Sequence, residues 1–142
     1  VIIPTERWLI DTNVWIFGLR RDENYPDSVS VLEAIGSFVA VIPPQVLKEL
    51  RVNLTDDEMK TFYRLLKNFP EGVELNWKKA SAEKIQFYLN QGCRKGDAVI
   101  ASYAETLTVQ FIVTNNRQFL QTITNLPFRI LTPTDVLLRL SS

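Results

Sequence analysis

Three acidic residues, Asp11, Glu49 and Asp97, occupy places in this sequence where a carboxylate needs an explanation. Asp11 directly follows the apolar run Trp8-Leu9-Ile10, which sets it at the tip of a first strand. An aspartate there either caps the next helix or turn, as does Asn13 just after it, or faces a site. Glu49 lies in Pro43-Pro44-Gln45-Val46-Leu47-Lys48-Glu49-Leu50, where proline opens a helix and Val46, Leu47, Leu50 and Leu54 form its buried stripe. At about 100° per residue Glu49 flanks that stripe beside Val46 and Asn53. It can lean over the core edge, although a lone helical glutamate is ordinarily solvated. Asp97 opens Asp97-Ala98-Val99-Ile100-Ala101-Ser102-Tyr103-Ala104, with Ala101 and Ala104 on its own strip. The helix dipole alone favours a first-turn aspartate, but an ionised carboxylate heading an inward strip calls for compensation.

A divalent cation compensates several carboxylates together. Oxygen donors without histidine or paired thiolates point to magnesium or manganese rather than zinc. Such an ion lowers the pKa of water and stabilises charge developing on a phosphodiester, so the acids suit phosphodiester hydrolysis. The chain has no histidine and one cysteine, Cys93. Histidine triads, an internal disulfide and thiolate zinc clusters are thereby excluded. A phospho-enzyme of the haloacid type wants a second aspartate two positions after the nucleophile, where this chain has Asn13. Neither GxGxxG nor GxxxxGK[ST] occurs, which argues against a nucleotide-binding loop.

The elements that would position these residues alternate between short apolar runs and helical periodicity, the pattern of an α/β sandwich with a mainly parallel central sheet flanked by helices. The runs predict strands over Arg7–Ile10, Phe38–Ile42, Gly72–Leu75, Gln110–Val113 and Phe128–Leu131. Helices are expected over Ser28–Ile35, Pro44–Leu54, Asp56–Phe69, Ala82–Asn90, Asp97–Leu107, Arg117–Thr122 and Pro133–Leu140. Thr55 and Glu58 have the spacing of a capping box, which explains Thr55 without the glycan that Asn53-Leu54-Thr55 could accept. Ser81 is a candidate N-cap, and Thr132-Pro133 predicts a short closing helix. In an open parallel sheet the reactive groups gather beyond the strands' carboxyl ends, where all three acids could lie.

The 142 residues suffice for one core and are read as one domain over residues 1–142. Sixteen basic and sixteen acidic residues cancel, so a nucleic-acid site must be a local basic patch. No secretory pattern or membrane-length apolar stretch occurs, and the single cysteine suits a reducing compartment, so a cytoplasmic location is expected. Trp8 reads as core, whereas Trp15, beyond the strand tip, could line a dimer or partner surface.

Four segments in this order, LIDTNVW, PPQVLKEL, RKGDAVIAS and FIVTNNRQF, resemble the PIN-domain family over nearly the whole chain. The resemblance implies a parallel sheet flanked by helices and a magnesium- or manganese-dependent ribonuclease, endonucleolytic rather than exonucleolytic, as in the toxins of toxin–antitoxin pairs. Carried over by position, Asp11, Glu49 and Asp97 match the acidic metal-site residues. Thr12, Asn13 and Thr114 match supporting polar positions, with Asn116 beside them in the last motif. Family members often carry aspartate where this chain has Asn116 or Gln118. That departure supports an alternative, a module of the same fold that binds RNA or protein without cutting. Arg51, Lys95 and Arg117 are candidate phosphate contacts, as are Arg20, Arg21, Lys48 and Arg94. The implied partners are RNA, an antitoxin and a second copy of the chain.

Overall fold

The computed structural model describes residues 6–120 and 125–141, apart from the side chains of Arg117 and Leu120. Five strands, β1 (Arg7–Ile10), β2 (Val39–Ile42), β3 (Val73–Leu75), β4 (Phe111–Val113) and β5 (Arg129–Leu131), pair in the order β3-β2-β1-β4-β5. Every pairing is parallel. The central strand explains its own composition: Trp8, Leu9 and Ile10 are fully buried, since a parallel strand covered on both faces has no side for a polar residue. Trp8 stacks on Phe38 with ring centroids 3.7 Å apart.

The helices are α1 (Thr12–Leu19), α2 (Pro26–Glu33), α3 (Pro44–Asn53), α4 (Asp56–Asn68), α5 (Ala82–Asn90), α6 (Lys95–Thr106) and α7 (Pro133–Ser141). The chain runs outward from β1 to β3 and then back past β1 to β4, and the right-handed rule for parallel crossovers assigns the helices of the two halves to opposite faces of the sheet. In keeping with this, α1 packs on α2, α2 on α7, and α5 on α6, while α3 touches both α1 and α6. The result is the three-layer α/β sandwich expected from the sequence. The predicted caps are present: Thr55 and Glu58 form a capping box, Ser81 accepts from the Lys84 amide at 3.2 Å, and Thr132 from the Asp135 amide at 3.2 Å. Among the described residues no helix is long and apolar enough to cross a membrane.

Several boundaries differ from expectation. Helix α1 was not anticipated, because TNVWIFGL is apolar around most of its circumference and lacks the one-sided stripe of a surface helix. It is wedged against α2, α3 and α4. Trp15 is consequently fully buried, edge-on to Phe62 at 5.3 Å, and lines no outer surface. Helix α2 begins at Pro26 and α6 at Lys95, so proline and a Lys-Gly pair that read as loop form first turns instead. Residues Arg117–Leu120 form a 3-10 turn, and the predicted extension to Thr122 lies outside the described residues.

The strand order reverses at β1, which opens a crevice beyond the carboxyl ends of β1 and β4. Backbone bonds hold the residues after these strands in register: the Asp11 amide donates to Val113 O at 2.9 Å and the Thr114 amide to Leu131 O at 3.0 Å.

Candidate active site

Asp11 leaves β1 and caps α1, with Oδ1 accepting from the Thr12 amide at 2.8 Å. Its other oxygen, Oδ2, accepts from the Thr114 hydroxyl at 2.8 Å and from Asn13 Nδ2 at 3.3 Å. The residue is only 9% exposed. Burial pushes its pKa up to about 6, the negative charges of Glu49 and Asp97 add to the rise, and the Thr114 and Thr12 donors oppose it. The capping expected of Asp11 is thus carried by Oδ1, while Oδ2 is held by Thr114 and Asn13.

Glu49 leans over the core edge rather than into solvent. Its Oε2 accepts from the Thr12 hydroxyl at 2.5 Å and its Oε1 from Gln45 Nε2 at 2.7 Å. Gln45 was not singled out from the sequence, although the four-residue spacing that brings it beside Glu49 on α3 is legible there.

Asp97 sits in the first turn of α6 and is half-buried. Burial raises its pKa, the nearby Arg94 guanidinium counters the rise, and Glu49 adds to it. It opens into a cavity of about 280 Å³ whose walls include Cys93, Arg94, Asn116, Gln118 and Phe119. A mostly apolar cleft between α1, α2 and α4, lined by Gly18, Leu32, Leu65 and Phe69, contains none of the three acids.

Behind the carboxylates runs a neutral hydrogen-bonded chain. Asn13 Oδ1 accepts from the backbone amide of Asn115 at 3.1 Å, and Asn115 Nδ2 donates to the buried Ser28 hydroxyl at 3.0 Å. Because Asn13 Oδ1 faces Asn115, its amide nitrogen must face Asp11. Thr114 is buried beside Asp11 and its hydroxyl also accepts the Asn116 amide at 3.0 Å. The Asn116 side chain accepts from the Gln118 amide at 3.1 Å, so Asn116 rather than Asn115 takes the local capping role. Ser28 had no sequence signal as part of this chain, because only the packing of α2 on α1 brings it there.

The candidate phosphate contacts separate. Lys95 and Arg94 are exposed at the start of α6, and Arg51 is exposed on α3, where it donates to the Tyr63 hydroxyl at 3.3 Å. Arg20 instead braces α1 to α4 through Glu58 at 2.8 Å and to Asn53 O at 3.0 Å. The Arg117 side chain lies outside those described.

Among the described residues no three acidic, cysteine or histidine side chains close around a single point as a finished metal cage. The donor chemistry nevertheless fits a hard cation. Three carboxylates, just after β1, on α3 and on α6, lie near enough to act on one another, and the most buried of them is pushed toward protonation first by its burial and then by its two neighbours.

The family model described as PIN domain matches residues 8–123. No curated protein matches significantly. Solved structures do. VapBC-1 from nontypeable Haemophilus influenzae aligns with TM-score 0.64 and 18% identity, covering 90% of this chain and 98% of the other. VapBC2 from Rickettsia felis, bound to a promoter DNA fragment, gives TM-score 0.59 and 21% identity over 89% of this chain and 98% of the other. PAE2754 from Pyrobaculum aerophilum gives TM-score 0.56 and 17% identity, covering 96% of each chain.

Proposed function

Because this chain belongs to the PIN domain family, we propose that it is a divalent-cation-dependent ribonuclease that cleaves RNA internally at an acidic centre formed by Asp11, Glu49 and Asp97. The observation that carries this reading is the buried Asp11 carboxylate just beyond β1, joined through Thr12 to the Glu49 carboxylate and near enough to Asp97 to feel its charge. A structural aspartate has no use for that company, since like charges gathered without a cation disfavour one another and repel phosphate.

Asp11, Glu49 and Asp97 would hold magnesium or manganese, which when bound supplies an activated water and counter-charge for the phosphodiester. The chain's own part is positioning. The Thr12 amide, Thr114 and Asn13 fix both oxygens of Asp11, and Thr12 and Gln45 do the same for Glu49. Arg94, on the wall of the cavity that holds Asp97, would meet a phosphate oxygen, with Lys95 beside it on the exposed start of α6. The similarity to VapBC structures supports a toxin role with an antitoxin as partner. Self-association and a cytoplasmic setting belong to the same reading.

A second reading rests on Asn116 and Gln118, neutral residues on the cavity wall where related sequences often carry acids. It makes the protein an RNA- or protein-binding module without catalysis. Cleavage of mixed single-stranded RNAs with magnesium, manganese or EDTA separates the two. Cation-dependent cutting lost in Asp11→Asn and Asp97→Asn supports the nuclease, whereas folded protein that binds RNA and never cuts supports the module.

A further inference from the structure

We propose that the outer face of the α3–α4 hairpin is a binding surface for the phosphates of a single RNA strand, leading that strand to the acidic centre; the proposal rests on the nuclease reading above. On α4, Lys60, Tyr63, Arg64 and Lys67 are all exposed, and their spacing of three, four and seven residues places them on one stripe. The opposite side of α4 buries Phe62. On α3, Lys48 and Arg51 are exposed, and the bond from Arg51 Nη2 to the Tyr63 hydroxyl at 3.3 Å sets the α3 cations beside the α4 stripe.

None of these five cations takes part in a salt bridge among the described residues. Of the acids on these two helices, Glu58 pairs with Arg20 and Glu49 turns inward to Thr12, while Asp56 and Asp57 are exposed in the first turn of α4, at the start of the stripe, four and three residues before Lys60. From Met59 to Phe69 the sequence has no acidic residue. The helix dipole accounts for Lys67 in the last turn but not for Lys60 and Arg64 in mid-helix.

In a chain of formal net charge zero, this is a local electrostatic footprint of the kind a polyanion reads. Tyr63, 42% exposed among the cations, offers a ring on which a base can stack without sequence preference. The surface meets the site at Lys48, which is exposed and directly precedes Glu49 on α3, whose carboxylate turns to Thr12.

The test is equilibrium binding of a short labelled oligouridylate in EDTA, where cutting does not interfere, across a series of salt concentrations. Each phosphate contact to a single strand contributes about 0.7 to the slope of log affinity against log salt. Lys60→Gln/Arg64→Gln should flatten that slope by about 1.4, two contacts at the same increment. Lys78→Gln/Lys79→Gln, an equal charge change on exposed residues outside the hairpin, should leave it unchanged.

Equal flattening in both variants, no change in the hairpin variant, or a wild-type protein that does not bind the oligonucleotide overturns the proposal. An unchanged slope with an altered oligomeric state assigns the face to a protein partner and overturns it as well. The nuclease reading fails separately. Hairpin-dependent binding without cleavage in magnesium or manganese leaves the surface standing and removes catalysis, whereas cleavage with a hairpin-independent slope does the reverse.

Discussion

The Thr12 hydroxyl donates to Oε2 of Glu49 at 2.5 Å, joining the first turn of α1 to the middle of α3 across 37 positions of sequence. Thr12 also supplies the backbone amide that Asp11 caps. One residue thereby sets the relative placement of two of the three acids. Thr12→Val keeps the shape and removes the hydroxyl. RNA cleavage, or the manganese affinity behind it, should fall roughly 10- to 100-fold, the usual cost of losing a group that orients a ligand. Thr12→Ser should keep most of the activity. Steady-state kinetics across a manganese titration distinguish these outcomes.

Asp11 makes stability depend on pH in a direction opposite to that of an ordinary paired carboxylate. Its folded pKa, about 6, lies above the ordinary 3.8, so the native state holds the proton more tightly than the unfolded chain. The contribution of this group to stability therefore falls as pH rises from about 4 to about 6 and stays unfavourable above that range. In EDTA at pH 8, Asp11→Asn should be more stable than wild type by roughly 2–3 kcal/mol, and the advantage should vanish near pH 4. Thermal melts at several pH values would show it, and a gap that is constant with pH would refute this account.

Two substitutions should move the Asp11 titration in opposite directions. The Thr114 hydroxyl lowers the pKa of Asp11 and the Glu49 charge raises it. Thr114→Val should raise it further, and Glu49→Gln should bring it down toward the ordinary carboxylate range. Carbon-13 NMR of the aspartate carboxyls in cation-free protein reads both shifts. Thr114→Ser, which retains the donor, is the control.

Gly18 is a packing requirement on α1. A Cβ built there would stand 2.5 Å from Leu32 Cδ1 and 2.9 Å from Ser28 O, so α1 and α2 would have to separate. Gly18→Ala should cost roughly 1–3 kcal/mol in urea unfolding, through overpacking rather than backbone conformation. Since Ser28 anchors Asn115, the substitution should also depress cleavage, and a variant that is destabilised yet fully active would show that the Ser28 end of the chain is loosely coupled to the site.

Much of this architecture is readable from residue order because parallel strands and their exits carry strong local signals. Trp8-Leu9-Ile10 followed by Asp11, and Phe111-Ile112-Val113 followed by Thr114, announce both buried strands and their polar tips. Thr55 and Glu58 announce the start of α4 in the same local way. What escaped notice depends on tertiary neighbours. Helix α1 is surrounded by protein and so has no polar face to reveal its period. Ser28 and Asn115 meet across 87 positions, and no spacing rule applied along the chain reports such a meeting. The reach of Gln45 to Glu49 was visible as a spacing, but the same spacing occurs on any solvated helix, and only the Thr12 hydroxyl on the other oxygen gives it meaning.

The bond between Thr114 and Asp11 spans 103 positions, and this separation has a consequence in time. At a synthesis rate of about 5–20 residues per second, Asp11 leaves the ribosomal peptidyl centre roughly 5–20 s before Thr114 is added. Glu49 and Asp97 are already joined to the growing chain by then, yet β4, the strand that brings Thr114 to Asp11, has still to emerge and dock. During that interval the nascent chain can offer Asp11 only its local donors, Thr12 and Asn13, and the Thr114 bond to Oδ2 forms only with insertion of the fourth strand.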